Sequence, residues 1–191
     1  MVICIIYSSS ASFALRKIGK IRNYLDKSTT EQLIHAFVSS RLDSNNILLA
    51  GLPSKDISKL QRIQNSAARL VSRSKKRAHI TPILQDLHWL PVHHRINFKL
   101  LLLTYKILND MAPVYLSELL HPYVPTRLLR SSSKDLLQTP SHRTKSYGAR
   151  AFSIIAPILW NTLPHHIRQA SSINQFKNSL KTFQFQIAYD L

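Results

Sequence analysis

The chain has 191 residues, 45% of them hydrophobic, with 26 Lys and Arg against 9 Asp and Glu and a formal net charge of +17. The apolar fraction argues against wholesale disorder, and the length suits one ordinary domain or two small ones. The charge excess opposes compaction unless a polyanion neutralises it, so the expected partner is a phosphate backbone, with an anionic membrane surface as the rival.

Leu and Ile dominate the apolar set and only three glycines occur, which predicts a mostly α fold. The single cysteine, Cys4, excludes an intrachain disulfide and a Cys-based zinc site, and fits a reducing compartment, cytoplasm or nucleus. Residues 1–14 are apolar and then Ser-rich. They lack a basic n-region and their apolar run, Val2 to Tyr7, is short for a signal peptide, so secretion is not expected.

Residues 15–27 are basic and helix-compatible. Ser28-Thr29-Thr30-Glu31 reads as a capping box, opening a helix with Leu33, Ile34, Phe37 and Val38 on one side. A short helix over about 42–50 would end at Gly51. Pro53-Ser54 starts a longer helix to about Arg73, with Ile57, Leu60, Ile63, Ala67, Leu70 and Val71 at helical spacing. After a basic linker, Thr81-Pro82 signals a short helix through His88, stopped by Trp89-Leu90-Pro91. Residues 92–110 are apolar nearly all round, apart from Arg95, Lys99 and Lys106, and predict a central buried helix. Pro113 opens another short helix to Leu120.

From His121 to Arg150 the composition turns to Pro, Gly and Ser, predicting extended chain with room for a short hairpin. Helices are expected again over 151–160, and from an N-cap at Ser172 to about Ala188. The last carries a stripe of Ile173, Phe176, Leu180, Phe183 and Ile187.

Catalytic signals are weak throughout. Polymerases and metal nucleases need clustered carboxylates to hold divalent cations, yet the nine acids stand singly with no Asp-Asp or Asp-x-Asp. Gly19, Gly51 and Gly148 are isolated, so no phosphate loop is present. Cys4 lies in an apolar tail, and no serine has a nucleophile-elbow context. The doublets His93-His94 and His165-His166 point adjacent rings in different directions and make poor metal pairs. Trp89 and Trp160 stand among apolar neighbours and read as core. The expectation is no catalytic residue, no metal site and no cofactor in this chain.

The basic faces are more specific. On a wheel with Ile57 at zero, Lys55, Lys59, Arg62, Arg69 and Arg73 fall between about 120° and 200°, nearly opposite the apolar set. The ridge continues into Lys75, Lys76 and Arg77, and Asp56 is the one acid between residues 54 and 77. A solvated face usually mixes signs, whereas a single-sign ridge suits phosphate. A second tract, Arg127, Arg130, Lys134, Arg143, Lys145 and Arg150, is rich in hydroxyls and opposed by Asp135 alone. It suits backbone gripping, with Tyr147 able to stack or to pack.

Several phrases occur in order: Ile34-His35-Ala36-Phe37-Val38-Ser39-Ser40-Arg41-Leu42-Asp43; Leu48-Leu49-Ala50-Gly51-Leu52-Pro53; Leu60-Gln61-Arg62-Ile63-Gln64-Asn65-Ser66-Ala67-Ala68-Arg69-Leu70; Leu87-His88-Trp89-Leu90-Pro91-Val92; and Leu159-Trp160-Asn161-Thr162-Leu163-Pro164. Together they closely resemble the region following the reverse transcriptase palm in LINE-type, jockey-like non-long-terminal-repeat retrotransposon polyproteins, over about residues 15 to 185. The resemblance implies a parent RNA-directed DNA polymerase that uses Mg2+. Its catalytic aspartates would lie upstream of the matched region and outside this chain. Residues 1–14 do not match, and Ser44-Asn45 stand where the family usually has an aromatic–Cys pair.

The resemblance organises the chain as an unmatched tail (1–14), a helical thumb-like module (15–120), a basic turn-rich linker (121–150) and C-terminal helices (151–191). The implied role is to hold template–primer, an RNA–DNA hybrid or element RNA beside an upstream palm, without stable membrane association. The alternative is a host-retained or decaying transposon-derived protein with no polymerase role.

Overall fold

The computed structural model describes residues 2–125, 135–142, 144 and 148–191. The fold is mostly α, and no strand occurs among the described residues. The chain forms two compact units, Met1–Ile96 with Phe185–Leu191, and Asn97–Gln184. This division differs from the one expected at residues 14, 120 and 150. It falls inside two helices, α6 (Val92–Leu108) and α10 (Ile173–Tyr189).

In the first unit, α1 (Val2–Ile21) runs unbroken through residue 14, and Ala11, Ala14 and Ile18 are buried along it. The segment expected as a tail is therefore the first half of a helix that packs on α4. A 3₁₀ turn, Arg22–Tyr24, leads to α2 (Lys27–Ile34). The cap of α2 is Asp26, two residues before the expected Ser28, and its carboxylate accepts the Thr29 N–H at 3.4 Å. Glu31 does not close a capping box. It accepts the Trp89 Nε1–H at 3.2 Å, which satisfies the indole of a buried ring.

After α2 comes a π turn, His35–Ser39, then α3 (Ser40–Asp43). Thr30, Ile34, Val38 and Leu42 are all buried. Spacing by fours drifts about 40° per step on an α-helix, and the wider π turn absorbs that drift. The same register exposes Phe37, expected in the core. Asn45, left-handed at φ 49°, turns the chain into a 3₁₀ segment, Asn46–Leu49, where an α-helix was expected. Gly51 follows at φ 71°, in the region glycine enters without strain.

α4 (Ser54–Ser72) matches its expected bounds, burying Ile57, Leu60, Ile63, Ala67, Ala68 and Val71. α5 (Ile80–Asp86) is capped by His79, so Pro82 sits third rather than first, still where no N–H is needed. Gln64 donates to Leu90 O and Gln61 accepts from Val92 N, both at 2.8 Å, tying α4 to the segment that enters α6. Arg95 is held by Asp43, with Nε 2.9 Å from Oδ1.

Four helices end on the same device. Arg73, His88, Asp110 and Asp190 have positive φ, and the next N–H reaches back five residues: Ser74 to Arg69 O, Trp89 to Leu84 O, Met111 to Lys106 O and Leu191 to Gln186 O. These are the 6→1 bonds of Schellman ends, built without glycine.

Tyr189 closes the first unit, its hydroxyl donating to Trp89 O. Burial pushes this phenol from 10.0 up to about 12. The folded state therefore favours the protonated form. The associated stability is complete below about pH 10 and is lost as pH rises towards about 12. Urea titrations across that window should show Tyr189→Phe losing less stability than the wild type. Equal losses would remove Tyr189 as the group responsible.

The second unit is built on an aromatic stack. Tyr105 of α6 lies against Phe176 of α10, with centroids 4.2 Å apart and planes at 17°. Trp160 of α8 (Phe152–Asn161) also stacks with Phe176, centroids 5.9 Å apart. All three are buried, as expected for Trp160. The short α7 (Val114–Ser117) follows α6; Val114 and Tyr115 on it, and Val124 beyond it, are exposed. Within the expected hairpin, one bridge pairs Pro122 with Leu137. Asn161 brackets Leu137 as a strand would, accepting from its N and donating to its O at 2.9 and 2.8 Å. α9 (His165–Arg168) and the Ser172-capped α10 complete the unit. On α10, Phe176, Leu180 and Gln184 are buried while Ile187 is exposed, so the stripe drifts off its expected line.

Candidate nucleic-acid interface

The first tract lies on α4 and its continuation, within one unit. Nineteen helical residues span about 28 Å. Lys55 and Arg62 are exposed on α4 opposite its buried apolar side, and Arg73, Lys75, Lys76 and Arg77, at and past its end, are exposed too. Lys59 is half-buried and held by Asp56 at 2.8 Å, and this hydrogen bond holds the Asp56 carboxyl below the usual carboxylate range. Arg69 is also half-buried. Its Nη2 donates to Ala78 O at 3.2 Å and its Nε is buried without a hydrogen-bond partner. It serves the 73–79 turn, and the ridge is narrower than the wheel implied. Arg73 sits at the left-handed helix end and donates to Leu25 O at 3.3 Å.

Of the second tract, Arg127, Arg130, Lys134, Arg143, Lys145 and Tyr147 lie outside the described residues. Arg150, at the end of a 3₁₀ turn (Gly148–Arg150), is half-buried and already engaged in an interaction. Gly148 is fixed there by crowding, since a Cβ would lie 2.6 Å from Thr144 Oγ1.

Two arginines have a different job. Arg22 is buried, donating to Leu70 O at 2.7 Å, Val71 O at 3.0 Å and Leu25 O at 2.7 Å. It caps the carboxyl end of α4, where orphan carbonyls and the helix dipole favour a cation. Burial first, and then the Arg73 charge, lower its pKa from the usual value. Arg168 does the same for α8, donating to Trp160 O, Asn161 O and Leu163 O. Both count towards the net charge and neither is offered to a ligand.

Beside Arg22 is an open cleft of about 400 Å³, lined among others by Asp26, Lys27, Arg73 and Asp86. Hydrogen bonds from Thr29 hold the Asp26 carboxyl below the usual range, and Lys27 approaches Asp86 at 3.7 Å. The cleft thus carries mixed charge at the end of the ridge.

Comparison with family models, curated proteins and solved structures gave no match. Among the described residues, no group of three or more His, Cys, Asp or Glu side chains converges as a metal site would require, and no helix is long and apolar enough to cross a membrane.

The sequence reading left α1 out of the interface. Arg16, Lys17 and Lys20 are exposed on it, and Tyr24 just beyond it is 89% exposed. The basic run 15–27 was the available signal. It could not separate Arg22, which is buried, from its exposed neighbours.

Proposed function

We propose that the chain is a nucleic-acid-binding module whose α4 ridge grips a phosphate backbone, holding template–primer or element RNA for an adjoining reverse transcriptase palm. The observation that carries the reading is the set of exposed cations Lys55 and Arg62 on α4 and Arg73, Lys75, Lys76 and Arg77 at and after its end, with Asp56 already taken by Lys59. The retrotransposon setting rests on the sequence resemblance.

Anisotropy titrations with labelled duplex DNA, RNA–DNA hybrid and hairpin RNA test the reading. Six phosphate contacts should lower affinity for duplex DNA about a thousandfold between about 50 mM and about 200 mM salt. Absence of binding at the lower salt, or affinity that ignores salt, overturns it. Chemistry belongs to the palm in this reading, so the purified chain should extend no primer with magnesium or manganese. Incorporation above a boiled control, surviving removal of contaminating polymerase, would refute that part.

A further inference from the structure

We infer that the exposed face of α1 and the turn after it is a stacking track for an unpaired nucleic-acid strand, with Tyr24 as its platform. The inference rests on the phosphate-binding reading above and adds what that ridge lacks, a means of telling single strand from duplex.

The residues carry it as follows. Phe13, Lys17 and Lys20 recur at intervals of four and three, which places them on one line of a helix. Tyr24 follows four residues later on the 3₁₀ turn. Phe13 is 58% exposed and Tyr24 is 89% exposed, while Lys17 and Lys20 are exposed between them. Lys17 Nζ lies 5.4 Å from the Phe13 ring centroid, so ring and cation share the stripe. Phe13 and Tyr24 are about 16 Å apart along the chain axis, roughly five steps of a strand rising 3.4 Å per nucleotide.

A strand presents π-faces and phosphates together, and a line with a ring at each end and two cations between them offers partners for both. A bilayer-binding helix separates its apolar face from its basic one. Ile21, also exposed, flanks the track. The track is continuous with the ridge, because Arg73 donates to Leu25 O, the carbonyl of the residue after Tyr24. A strand leaving a duplex on α4 would meet Tyr24 next to the Arg73 end of the ridge.

The test compares blunt duplex DNA with the same duplex carrying a short single-stranded overhang, using the full chain. The wild type should favour the overhang substrate about tenfold. Tyr24→Ala with Phe13→Ala should abolish that preference while keeping blunt-duplex affinity and its salt slope. Tyr24→Phe should retain the preference, since a phenyl ring still stacks. Circular dichroism checks that both variants fold, which the exposure of both rings favours. Equal affinity of the wild type for the two substrates overturns the track, as does a preference that survives the double substitution. Loss of binding to phosphatidylserine vesicles in the double variant, with the overhang preference unchanged, assigns the face to a membrane and overturns it too. Failure of blunt-duplex binding would instead strike the α4 reading, so the two failures are distinct.

Discussion

Replacing Arg62, Lys75, Lys76 and Arg77 together with alanine is expected to flatten the slope of log affinity against log salt by about 3 to 4 units on duplex DNA. Each lost phosphate contact withdraws about 0.9. Binding should weaken about equally on all sequences, because backbone contacts read none. All four side chains are exposed, so the helix content and urea midpoint should hold. Arg69 and Arg73 are left intact because each donates to a carbonyl outside α4, Ala78 O and Leu25 O, and their loss would mix folding with binding, whereas Arg62 reaches only Ser58 O of its own helix. Arg22→Met is the matched control. It removes a positive charge that three carbonyls already hold, so it should lower stability by about 3 kcal/mol, one or two charge-assisted hydrogen bonds, and leave the salt slope alone. A folded quadruple variant that keeps its full slope would remove the ridge from the interface and make Arg127 to Arg150 the leading tract.

Phe176→Ala should cost about 3–5 kcal/mol. Phe176 is fully buried and touches both Tyr105 and Trp160, so truncation removes two ring contacts and leaves a cavity between two large neighbours. Natural domains are stable by only about 5–15 kcal/mol, so this variant is expected to lose a large share of its stability and unfold at a much lower urea concentration. Leu103→Ala, which the sequence alone would rank as a core truncation, should cost less, because Leu103 is half-buried. The buried residues of α6 are Val92, Ile96, Leu100, Leu101, Thr104, Tyr105 and Ile107. Urea titration of both variants decides the order, and a loss below about 1 kcal/mol for Phe176→Ala would displace the stack from the centre of its unit.

Helical periodicity made α4 legible almost to the residue, and the apolar neighbours of Trp89 and Trp160 correctly marked both as core. The serine cap of α10 was also readable. What failed was whatever depends on a distant partner. Glu31 suits a capping box by spacing, but Trp89, far along the chain, takes its carboxylate. Arg22 and Arg69 look like their neighbours in composition, and only the carbonyls of Leu70, Val71 and Ala78 set them apart. The π turn at His35–Ser39 escaped because the wheel assumes one constant pitch. The candidate interface was therefore legible as a helix face and illegible in which cations remain available on it.

The four helix ends built on Arg73, His88, Asp110 and Asp190 leave thermal headroom in this chain. A left-handed residue with a Cβ gives up about 1 kcal/mol that glycine would not. Asp110 and Asp190 lie outside both basic faces, and glycine at the two together would raise the melting temperature by about 4–8 °C for a chain of this size. Arg73 is the opposite case: glycine would relieve the backbone but delete both the hydrogen bond to Leu25 O and a cation of the ridge. The strained arginine there serves the turn and the proposed grip on phosphate at once.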